Sequence, residues 1–183
     1  MRRVRGTVAL VIAVTTASLV AACGPSGPSG PRATYPPVGA TTPPVSAAVA
    51  QTRGLLEAGL RAAGFGLIDA TQAYRPAEGP RLAGAGRAVF EAILAADPGR
   101  GRIVVYELTT TGDAAVAADD QAAYVASGVG RVQFPSGSRF VLTVVGSTVV
   151  FFTWTPEGAA DPSELGRLAA AVGSVGTAVA VPG

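Results

Sequence analysis

Phe140-Val141-Leu142-Thr143-Val144-Val145-Gly146-Ser147-Thr148-Val149-Val150-Phe151-Phe152-Thr153-Trp154-Thr155 decides the fold of this chain. β-Branched and aromatic residues fill the stretch, the composition that strands prefer. It is interrupted once, at Gly146-Ser147, and a glycine in first place suits a two-residue type II′ turn. Phe140 to Val145 and Thr148 to Thr155 therefore pair as a hairpin. The turn sets Val144 opposite Val149, Leu142 opposite Phe151 and Phe140 opposite Thr153 on one face. Val141, Thr143, Val145, Val150, Phe152 and Trp154 share the other face, so both faces are largely apolar. A second layer or a loop would cover Val150, Phe152 and Trp154. Alternatively these three form a docking patch or the wall of an apolar cavity, because monomers rarely leave such a surface bare.

Working outward, Asp161-Pro162-Ser163-Glu164 opens a helix. It offers an N-cap, a proline at the first helical position and a capping-box acid. Leu165, Leu168, Ala169 and Val172 form the buried stripe of that helix, Gly173 ends it, and the tail beyond is extended. Upstream, Asp113 to Ser127 reads as a helix with the stripe Ala114, Ala118, Ala122 and Val125. Ile103-Val104-Val105-Tyr106 is a strand. Arg87 to Ala95 fits either period. The turn signal Asp97-Pro98-Gly99 favours a strand hairpinned to Ile103–Tyr106. Gln72 to Gly86 is a loop carrying Arg75 and Arg81, Phe65 to Ala70 a short strand, and Val45 to Ala63 a helix ended by Gly64. The order α-β-β-β-α-β-β-α predicts an α+β domain. We expect a mainly antiparallel sheet of about five strands and three helices, packed largely on one face of the sheet.

Two acidic pairs and one glycine-rich stretch are the remaining candidate features. A three-residue loop at Pro98-Gly99-Arg100 would set Glu91 directly opposite Glu107, where like charges repel unless a proton, a metal or an arginine intervenes. Solvation of both carboxylates, or a shifted register, would remove the pairing. Asp119-Asp120 reads as a solvated helix face. Gly84-Ala85-Gly86 starts like a dinucleotide fingerprint but lacks the third glycine and a preceding strand.

At the other end of the chain, Arg2, Arg3 and Arg5 precede an uncharged, mostly apolar run from Gly6 to Ala22. That is the layout of a secretory signal peptide, and it is somewhat short for a membrane span. Val20-Ala21-Ala22-Cys23 closes the run and holds the chain's single cysteine. These four residues resemble the bacterial lipobox. The resemblance implies cleavage before Cys23, a diacylglycerol on its sulfur and acylation of the new N-terminus, with fatty acids such as palmitate. Ordinary secretion and an uncleaved anchor are the alternatives. Two or three acyl chains would hold the protein stably, where one binds reversibly. Gly24 to Pro44, rich in proline, glycine and serine, is then a spacer. The expected organisation is 1–22 signal peptide, 23–44 lipidated cysteine and linker, and 45–183 a single domain.

Composition narrows the function. The chain has no histidine and no lysine. A Ser-His-Asp or Cys-His nucleophile and a histidine-ligated metal site are excluded. Without the signal peptide, eleven arginines stand against 12 acids, so a nucleic-acid footprint is not expected. No cofactor is called for. The expectation is a lipoprotein on the extracytoplasmic face of the cell membrane, with a non-catalytic domain that binds an envelope protein or wall component. An apolar-ligand carrier is a second expectation. A hydrolase built on Glu91 and Glu107 is a third.

Overall fold

The computed structural model describes residues 45–182, which belong to a compact unit, Pro43–Gly183, with its own core. The expected signal peptide, Cys23 and the expected linker lie outside the described residues. The elements are α1 (Ala47–Ala62), β1 (Gly66–Asp69), α2 (Pro80–Ala83), β2 (Gly86–Ile93), β3 (Arg102–Glu107), α3 (Thr111–Ala126), α4 (Gly128–Arg131), β4 (Arg139–Val145), β5 (Thr148–Trp154), α5 (Pro162–Gly173) and β6 (Thr177–Val179). The class is α+β, as expected. All six strands form one antiparallel sheet, ordered β1-β2-β3-β5-β4-β6. The sixth strand comes from the tail, where Thr177 to Val179 pair with β4. The two additional helices, α2 and α4, are single turns.

The central hairpin has the predicted register. Val144 faces Val149, Leu142 faces Phe151 and Phe140 faces Thr153. Gly146 takes the positive φ, 57°, that the tight turn needs. Helices cover both faces of the sheet, not one. On the first face α1 and α5 bury Val150 and Phe152 together with Ile103, Val105 and Phe90. On the second, α3 covers Val104, Tyr106, Leu142, Val149 and Phe151. The α3 stripe is mostly alanine, which lets its backbone approach the sheet closely. Val150 and Phe152 are 0% exposed, so the docking-patch alternative fails for both and the covering layer is the correct account. Trp154, at the end of β5, is only partly buried.

Capping explains where the helices begin. Thr110, not Asp113, caps α3: its Oγ1 accepts from the Asp113 amide at 3.1 Å and donates to the Asp113 carboxylate at 2.8 Å. The helix therefore starts at Thr111, and Asp113 sits in its first turn, where a negative charge is favoured. Asp161 caps α5 as expected, accepting from the Ser163 and Glu164 amides at 2.8 and 3.1 Å. Glu164 does not reach back to Asp161. It accepts from the Ala95 and Ala96 amides at 3.1 and 3.2 Å and ties the end of β2 to α5. At the opposite end of the sheet, Thr52 of α1 bonds Thr148 at the start of β5, 2.7 Å apart. Among the described residues no helix is long and apolar enough to cross a membrane.

Truncating a buried phenylalanine removes its transfer energy and leaves a cavity. Phe152→Ala should destabilise the domain by about 3–5 kcal/mol in urea denaturation. Val129→Ala, at a side chain 73% exposed, should stay within about 0.5 kcal/mol.

Candidate functional site

The loop from Gln72 to Gly79 crosses one end of the sheet and is fixed there by buried polar groups. Glu78, whose side chain is 2% exposed, accepts from Arg75 Nε and Arg87 Nη1, each at 2.8 Å, and from the Tyr106 hydroxyl at 2.7 Å. A buried carboxylate is tolerated because it is paired and hydrogen-bonded in this way. Gln121, fully buried on α3, accepts from the Gly79 amide at 2.7 Å and donates to the Ala77 carbonyl at 3.1 Å. Both ends of its amide are used, so the loop cannot lift without leaving buried polar groups unpaired.

Two further segments are pinned beside it. The β2–β3 loop is held by Glu164, and by Asp97, which accepts from the Ala160 amide at 2.8 Å. Gly101 closes this loop against β2, and a Cβ there would collide with the Ala92 carbonyl. The segment leading into β4 is held by Phe134, edge-on to Phe140 at 4.9 Å, and by Ser138. The Ser138 hydroxyl donates to the Pro135 carbonyl at 2.7 Å and accepts from Thr155 at 3.0 Å.

These three segments and the end of β5 enclose a cleft of about 540 Å³, a size that suits a small molecule. Its walls come from both layers of the domain. Tyr74 and Phe134 belong to the α3 side, and Trp154 and Leu165 to the α1–α5 side. Arg75, Arg100 and Arg102 line it against one carboxylate, Glu157. Arg75 is engaged by Glu78, and Arg100 lies 3.8 Å from Asp97. Arg102 has no carboxylate of the described residues within 4.0 Å. It donates to the neutral Gln72 side chain at 3.1 Å and stacks over the Tyr74 ring at 5.3 Å. Its Nε is enclosed without an acceptor, an arrangement that costs about 1–3 kcal/mol.

The residues singled out from sequence distribute differently. Glu91 and Glu107 do not face each other. Glu91 pairs with Arg102 across the β2–β3 ladder, and Glu107 pairs with Gly86. The connection between the strands is longer than three residues, so the register is shifted by five positions and the two carboxylates point to opposite faces. Glu107 lies at the far end of the sheet, in a groove with Arg81 and Asp113. Gly86 of the glycine-rich stretch opens β2. Asp120 is exposed and pairs with Arg81. Trp154 alone of the predicted apolar trio lines the cleft. Among the described residues no three acidic, cysteine or histidine side chains gather as a metal site. No protein-family model, no curated protein and no solved structure matches this chain.

Sequence reading did not single out Tyr74, Arg102 or Phe134. The nearest signal was Arg75 in a proline-flanked loop, one residue past Tyr74.

Burial raises the pKa of Tyr74, with the positive charge of Arg102 opposing, so its phenol is neutral against the guanidinium. Tyr106 is pushed far above the ordinary phenol range, first by burial, then by donating to Glu78 and by the Glu78 charge, with Arg87 opposing. The unfolded phenol titrates near pH ~10. The folded state therefore keeps its proton where the unfolded state loses it, and stability is intact below about pH 10 and falls as pH rises above it. The chain has no lysine, which leaves tyrosines to dominate this alkaline range. Tyr106→Phe should cost about 1–3 kcal/mol at neutral pH by removing a donor from Glu78. It should also flatten the alkaline loss, as read from urea midpoints between about pH 7 and 11.

Proposed function

We propose that this protein is a lipid-anchored binding protein of the extracytoplasmic face of the membrane, which holds a small molecule in the cleft beside Trp154 and catalyses no reaction. The anchor is Cys23, read from its place at the end of the apolar run. The observation that carries the binding reading is one cleft in which three pinned segments bring Arg102 together with the rings of Tyr74, Phe134 and Trp154. Rings and a guanidinium held by their surroundings bind without first being ordered, which lowers the cost of association. The hydrolase reading loses its motive in the register of β2 with β3, and the apolar-ligand carrier keeps Trp154 alone of its three residues, since helices cover Val150 and Phe152.

Each half of this reading has its own test. The wild-type chain should sediment with membranes and incorporate labelled palmitate, and Cys23→Ser should do neither. A Cys23→Ser chain that still does both overturns the anchor. For the cleft, Trp154 is the only tryptophan, so its emission reports on this site alone. The Pro43–Gly183 unit should show saturable quenching by the uncharged aromatic probe phenylnaphthylamine. Phe134→Ala should weaken that binding several-fold, through loss of a packed ring worth roughly 1 kcal/mol or more. Absence of saturable quenching overturns the cleft as the binding site.

A further inference from the structure

We infer that the cleft selects a small free acid, a molecule with one anionic group on a flat apolar body, and that Arg102 pairs with the anion. This rests on the binding reading of the cleft.

A guanidinium is a cation with five donors and no acceptor. The two contacts of Arg102, Gln72 and the Tyr74 ring, orient the guanidinium without neutralising it. Its cross-strand neighbour is Glu91, the residue best placed to cancel the charge, yet no ion pair forms between them. Nε is enclosed without an acceptor while the Nη2 end, bonded to Gln72, stays exposed, so the guanidinium is fixed at its stem and open at its tip to an incoming anion. A planar guanidinium is suited to the paired oxygens of a carboxylate, sulfonate or phosphate.

The surroundings define the rest of the ligand. Tyr74, Phe134 and Trp154 offer ring surfaces for a flat body. Arg75 and Arg100 have acidic neighbours of their own in Glu78 and Asp97, and Glu157 adds a negative charge to the lining. Among the arginines that line the cleft, that balance leaves one cation for one anionic group; Arg139 stacks over the Trp154 ring at 5.2 Å but is not part of the lining.

Anilinonaphthalene sulfonate and phenylnaphthylamine share a ring skeleton and differ by the sulfonate. Titrated against Trp154 emission in the Pro43–Gly183 unit, the sulfonate should bind about tenfold more tightly than the neutral probe. Arg102→Gln should weaken sulfonate binding about tenfold and bring it level with the neutral probe measured on the same variant. Equal binding of the two probes, or a preference that survives Arg102→Gln, overturns the acid class and leaves the cleft reading standing. Failure of both probes with wild-type protein overturns both. If Arg102→Gln binds neither probe, Arg102→Lys decides: a preserved sulfonate preference supports the inference, and a lost one overturns it. Naphthoate should displace the sulfonate probe. Displacement by phosphatidylglycerol vesicles but not by naphthoate overturns the free acid in favour of a lipid headgroup.

Discussion

The two central strands, β3 and β5, must be kept from water on both sides. Val104, Tyr106, Val149 and Phe151 point one way, and Ile103, Val105, Val150 and Phe152 the other, and all eight are buried. A sheet apolar on both faces is stable only between two covering layers. That requirement explains the leucine-rich faces of α1 and α5 on one side and the alanine stripe of α3 on the other. It also explains where the cleft lies. Helices cover the middle of the sheet, while the strand ends at Arg102 and Trp154 are closed by loops.

Those loops behave as walls because buried polar side chains hold them. Glu78, Gln121 and Glu164 each come from a different part of the chain, and each satisfies groups on a segment remote from itself. Losing one would strand its partners in a poorly solvated interior, where an unmet donor is costly. The exception is Arg102. Every other arginine lining the cleft has an acidic neighbour within 4.0 Å, and the guanidinium without one is stacked on an aromatic ring.

The hairpin from Phe140 to Trp154 was legible in the sequence because a two-residue turn leaves no freedom of register. The second hairpin was not. Asp97-Pro98-Gly99 marks a turn, but its residues do not say how many neighbours leave the ladder, and that number decides whether Glu91 meets Glu107 or Arg102. Strand β6 has only three residues and acquires its identity from β4. The alanine stripe of α3 was legible, but a stripe does not say which face of the sheet it covers, and the helices were expected largely on one face. The cleft was the least legible feature. Tyr74, Arg102, Phe134 and Trp154 are far apart along the chain and meet only through the topology of the sheet.

The hydroxyl bridge between Thr52 and Thr148 fixes a direction for the whole domain. Thr148 begins β5 and Trp154 ends it, a span of about 20 Å at the rise of an extended chain. The first turns of α1 are therefore seated at the base of the domain and the mouth of the cleft opens at its summit.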